Sequence, residues 1–144
     1  MDRQYKFKIR LDYMSAKPNK GFFSGKSVED LAEELRQNKV ASLRNVPIQG
    51  VIVEDIDMSQ EVYILYDEVT SRKQAYAPVT ILLSADSVED ILPLVMLDEF
   101  RTVQVLEPKI WNLNHLHIEK ILFKINEELM EYRKIIERKI DNWK

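Results

Sequence analysis

The 144-residue sequence has no cysteine, two histidines, three glycines and five prolines. Without cysteine there is no disulfide framework, no thiolate zinc site and no thiol nucleophile. Two histidines leave little room for imidazole-based metal or general-base chemistry. No apolar run approaches the roughly 18 residues that a membrane span needs. The opening Met1-Asp2-Arg3-Gln4-Tyr5-Lys6 lacks the apolar core of a secretory leader. With so little glycine and proline, and no low-complexity tract, no linker divides the chain.

What remains is 45% hydrophobic and 31% charged, which suits one folded domain with a sizeable core. The expectation is a cytoplasmic, soluble protein without cofactor or metal. The formal charge of −3 is unevenly spread. Residues 1–26 carry seven basic side chains (Arg3, Lys6, Lys8, Arg10, Lys17, Lys20 and Lys26) against Asp2 and Asp12, and the remainder is acidic.

Tyr5, Phe7, Ile9, Leu11 and Tyr13 alternate with Lys6, Lys8, Arg10 and Asp12, so the first element is a strand with one apolar and one wet face. Ser27-Val28-Glu29-Asp30 then opens a helix, with a capping hydroxyl and two acids in the first turn. Its expected buried stripe is Val28, Leu31 and Leu35, and it should end near Lys39. Strands are expected over 48–56, 61–69 and 75–84. Asp57-Met58-Ser59-Gln60 should make a hairpin turn between the first two, and Thr70-Ser71-Arg72-Lys73 a turn between the last two. Pro78 has no N–H to donate and should lie at an edge or bulge. Ser87-Val88-Glu89-Asp90 repeats the first helix start sixty residues on. It opens a short apolar helix over 88–98, followed by a strand from Thr102 to Leu106.

The last segment is the longest. From about Asn114 to Asn142 there is no helix breaker, and Ile118, Leu122, Ile125, Leu129, Tyr132, Ile136 and Ile140 recur at steps of three and four, close to a heptad seam. Such a helix spans roughly 42 Å. A domain of the preceding length is only about 30 Å across. Part of the helix should therefore project, or cross a partner.

The order strand, helix, three strands, helix, strand, long helix gives a single α+β domain. It is expected to be a mixed five-stranded sheet over residues 1–110, with the C-terminal helix, 111–144, packing on the sheet or on a partner subunit. The middle strands are apolar on both faces, and two short helices cover only one. A homodimer is therefore expected, with association through the seam residues named above. The function expected is a non-enzymatic interaction or regulatory module, and another protein is a second candidate partner.

Other motifs carry less. Gly21-Phe22-Phe23-Ser24-Gly25-Lys26-Ser27 is one residue short of a phosphate-binding loop. Lys17, Lys20, Phe22, Phe23 and Lys26 could still hold an anion beside a helix start. With the basic face of the first strand they form the alternative reading, an anion or nucleic-acid binder. Against it, Tyr5, Phe7 and Tyr13 lie on the opposite face from the cations, whereas sheet recognition of single strands uses exposed aromatics. Neither nucleic acid nor membrane is the expected partner. His115 and His117 fall in a first helical turn, where residues two apart do not share a face. Glu54 and Asp55 should lie at the opposite end of the expected hairpin from Asp67 and Glu68, so no shared carboxylate site is expected.

Overall fold

A computed structural model describes residues 5–16, 26–69 and 71–142. The elements are β1 (Tyr5–Ala16), α1 (Val28–Asn45), β2 (Val51–Asp57), β3 (Tyr63–Asp67), β4 (Arg72–Ala85), a 3-10 turn (Val88–Ile91) running into α2 (Leu92–Val95), β5 (Phe100–Glu107) and α3 (His115–Asn142). The order and the α+β class are those expected. The strand pairing differs from the expected mixed sheet, because every pair in the sheet is antiparallel.

The sheet order is β2-β4-β1-β5, with β3 also on β4. The crossover β1-α1-β2 joins two like-directed strands, but β4 sits between them. The crossover from β4 through α2 to β5 is split in the same way by β1. Leaving β3 aside, this is the double split β-α-β arrangement. Both Ser-Val-Glu-Asp copies open the crossover of their half. Ser27 Oγ accepts from the Asp30 N–H at 3.1 Å, and the Ser87 N–H donates to the Asp90 carboxylate at 3.1 Å. The halves touch at Gly50, where φ is +78° and a Cβ would collide with that Asp90 carboxylate.

The inner face of the sheet carries the core. Phe7, Ile9 and Leu11 of β1 stand opposite Leu83, Ile81 and Val79 of β4, and all six are buried. Val40 of α1, with Ile91 and Leu94 from the second crossover, joins the same cluster. Trp111 closes its end, stacked on Tyr5 at 4.5 Å between ring centroids. The buried stripe of α1 is Val28, Ala32, Arg36 and Val40, not the expected Val28, Leu31 and Leu35. The reason is the floor beneath it. Ala75 and Ala77 of β4 are small, and with Ala32 they let the helix approach closely. The helix also runs on to Asn45, six residues past the expected end, because nothing before Pro47 stops it.

The expected hairpin between β2 and β3 does not form. Both strands lie on one side of β4: β3 pairs residues 72–76, β2 pairs residues 80–85, and residues 77–79 have no strand on that side. Of the turn expected after β3, Thr70 lies outside the described residues, and Arg72 and Lys73 already belong to β4. Pro78 sits in the gap between the two partner strands, where its missing N–H costs nothing. Its carbonyl accepts from Arg36 Nη1 at 3.1 Å, and the same nitrogen donates to the Gln60 carbonyl at 2.7 Å in the segment that bridges the gap. Arg36 is buried and also pairs with Glu33. Arg36→Met should lower stability by roughly 2–4 kcal/mol in a denaturant titration, because it leaves the buried Pro78 carbonyl and the partly buried Gln60 carbonyl without a donor. A loss below about 0.5 kcal/mol would show that the gap does not need the guanidinium.

Candidate functional site

Two surfaces concentrate the unusual chemistry. The first is α3. Its main contacts with the domain are to the 3-10 turn and α2. They run along one narrow stripe, the half-buried Ile121, Lys124, Ile125 and Glu128, with Lys124 close enough to Asp90 to act on its charge. No described residue of α3 is buried. From Leu129 to Asn142 every residue is exposed, so this half projects from the domain. Of the seam residues, Ile118, Leu122, Leu129, Tyr132, Ile136 and Ile140 are all exposed, and only Ile125 turns partly toward its own domain. Leu122 is 61% and the flanking Phe123 66% exposed, although both are large and apolar. At about 100° per residue the domain-facing stripe and the free apolar stripe lie roughly a quarter-turn apart. One helix therefore carries a mixed stripe turned to its own domain and an apolar stripe that the domain leaves free.

The second surface is the outer face of the sheet, opposite α1. The even-numbered residues of β1 point there: Lys8 stands opposite Leu82, Arg10 opposite Thr80, Asp12 opposite Pro78 and Met14 opposite Tyr76. Asp12 is only 2% exposed, although no described helix lies over it, because side chains close around it. Its carboxylate accepts from Arg10 Nε at 2.8 Å, from Arg10 Nη2 at 3.1 Å and from the Tyr63 hydroxyl at 2.6 Å. Arg101 Nε lies 3.8 Å away, and its guanidinium sits over the Tyr76 ring at 5.7 Å. Tyr76 stacks on Tyr63 at 5.1 Å. Arg101 reaches this face from β5 because the β1–β5 register shifts between Arg10 and Leu11.

This network sets the titration of its members. Burial pushes the Asp12 carboxyl up, but the Arg10 and Tyr63 hydrogen bonds and the charges of Arg10 and Arg101 outweigh it and hold the group below its ordinary value. Burial and the Asp12 bond push the Tyr63 hydroxyl up. On the inner face, burial pushes Tyr13 up to about 12.

Lys17, Lys20, Phe22 and Phe23 lie outside the described residues, and Lys26 pairs with Glu34 on α1. Asn114 caps α3, accepting from the His117 N–H at 2.9 Å, while its own N–H donates to His117 Nδ1 at 3.2 Å. Asp57 binds the Ser59 N–H at 2.8 Å in a local turn. Among the described residues no three His, Asp or Glu side chains are placed to hold a metal ion, and no helix is long and apolar enough to cross a membrane. A groove of about 450 Å³ follows the free edge of β2 beside the end of α1, lined by Leu43, Val46, Ile48 and Ile52 with Glu54 and Asp55. The bulge between Val53 and Asp55 blunts that edge.

Sequence reasoning missed Tyr63 and Tyr76 on the cationic face. Within β1 alone the aromatics lie opposite the cations, and the pattern of one strand does not show what its neighbours bring. Alternation within β4 sets Tyr76 on the even face, and the register then brings Tyr63 against it.

Comparison with protein-family models, curated protein sequences and solved structures gave no match.

Tyr63→Phe should cost about 1–2 kcal/mol at neutral pH, as a bond to a buried carboxylate is lost. A depressed native carboxyl contributes stability above its unfolded value of about 4, and that contribution disappears as pH falls through the native value. The gap between wild type and Tyr63→Phe should therefore shrink on acidification below about pH 4. Urea titrations across that range check it, and a gap independent of pH would contradict the ionised Asp12.

Proposed function

We propose that this chain is a non-enzymatic interaction or regulatory module that associates with itself as a homodimer through α3. The observation that carries the reading is the free apolar stripe of Ile118, Leu122, Leu129, Ile136 and Ile140 on a helix with no buried residue among those described. Leaving such a stripe in water costs free energy at roughly 25 cal/mol per Å², and soluble monomers rarely expose an apolar patch of this length. The projecting half also has too few tertiary contacts to hold a helix by itself, because isolated helices of that length are marginal in water.

Sedimentation velocity at tens of micromolar should give a dimer. Leu122→Asp combined with Leu129→Asp should give a monomer, while the near-UV signal of Trp111 stacked on Tyr5 stays unchanged. A wild-type monomer at that concentration would overturn the reading.

A second reading has one observation in its favour: Tyr63 and Tyr76 share the outer face with Lys6, Lys8, Arg10 and Arg101. Stacked aromatics and cations on an open sheet suit a single-stranded nucleic acid or another anion. Lys6 pairs with Glu107 and both arginines with Asp12, while the exposed Lys8 acts on the charge of Asp57 without an ion pair to it, which leaves Lys8 as the most available. Fluorescence anisotropy with a short single-stranded oligonucleotide at low salt should show binding that falls several-fold in Lys8→Ala and in a triple Lys17, Lys20 and Lys26 to Ala variant. No binding at low salt removes this reading.

A further inference from the structure

We infer that two copies of this chain pair their α3 helices antiparallel, about a two-fold axis at Glu127, so that the projecting half of each helix lies along the domain-proximal half of the other. The inference rests on the proposed self-association through α3 and specifies its geometry.

A second copy is the occupant that the amount of surface suits. Six large apolar side chains on the free stripe of α3, Ile118, Leu122, Leu129, Tyr132, Ile136 and Ile140, are between 39% and 61% exposed. At roughly 80 Å² apiece they offer on the order of 500 Å² per copy, about 1,000 Å² for a pair, which is the size at which a specific interface begins. A two-fold interface also needs a patch that complements itself. The steps 4, 3, 4, 3, 4 from Ile118 to Ile136 read the same in both directions. An axis at Glu127 sets Ile118 against Ile136 of the second copy, Leu122 against Tyr132, and Ile125 against Leu129. Each layer occurs twice.

Charge and packing then choose the direction. In the antiparallel pair Glu119 faces Arg133 of the second copy on the rim of the seam, once on each side of the axis. Glu128 faces its own copy there, but each is already neutralised by Lys124 at 3.4 Å on the same helix. In a parallel pair the next position of the seam is Lys139, which would face Lys139 across the axis. A parallel seam would also hold Leu122 and Leu129 at the positions where paired strands favour β-branched residues, and Ile118 and Ile125 where they favour leucine, a pattern that shifts parallel helices to higher oligomers. Finally, a parallel pair leaves both projecting halves beyond both domains. The antiparallel pair lays each beside Leu122 of the other, the most exposed side chain of the stripe.

The absence of native cysteine makes the geometry directly readable. Ile118→Cys and Ile136→Cys are prepared as separate full-length proteins, mixed, allowed to exchange subunits and oxidised with glutathione disulfide. Both positions are exposed, so the domain does not depend on them. The antiparallel pair yields the mixed disulfide, joining position 118 of one copy to position 136 of the other, in at least tenfold excess over either self-linked product. Predominant self-linking of each variant overturns the antiparallel geometry but leaves self-association standing. A dimer in sedimentation with neither kind of link places the interface off the stripe and overturns both. A monomer with no links also overturns both.

Discussion

Pro78 fixes more of this molecule than any other residue. It lies in the middle of β4, the strand that every other strand but β5 pairs with, and it cannot donate to a neighbour. The sheet edge therefore divides at that point. One strand cannot run the length of β4, so β2 takes the upper part and β3 the lower. The break exposes a carbonyl, and Arg36 supplies its donor from α1. That requirement buries a guanidinium in the stripe where a leucine would be expected. On the other side of the sheet Asp12 stands opposite Pro78, and the strand brought in below the break delivers the Tyr63 hydroxyl to it. One missing N–H thus organises the helix packing on one face and the polar network on the other.

The network on the outer face is a satisfied one. Asp12 is desolvated, but two hydrogen-bonded groups and a second guanidinium compensate it, so the charge is stable where it is. It ties together β1, β3 and β5, with Tyr76 of β4 stacked beneath, on a face that none of the described helices pins. The inner face achieves the same end with apolar packing. The sheet is held from both sides by different physics, and its even face is left open as a surface.

The C-terminal helix departs from this pattern. It turns four side chains toward its own domain and keeps a longer apolar stripe free. Nothing in the sheet domain needs that stripe, which is why association is the reading it supports. In the unfilled seam, local pattern and tertiary environment disagree.

Element identity and order were legible by themselves: the period of two in β1, the two Ser-Val-Glu-Asp starts, and the unbroken heptad-like run of α3 all depend on neighbours along the chain. The projection of α3 was legible too, since it follows from about 1.5 Å per residue against the size of the domain. The antiparallel pairing, the separation of β2 from β3, the alanine floor under α1 and the meeting of Asp12 with Tyr63 and Arg101 were decided only by the tertiary structure. Each depends on which strand lies beside which, and periodicity carries no information about that. Ala75 and Ala77 show the limit most plainly. In sequence they are weak apolar positions, and only with a helix above them do they become the reason it packs so closely.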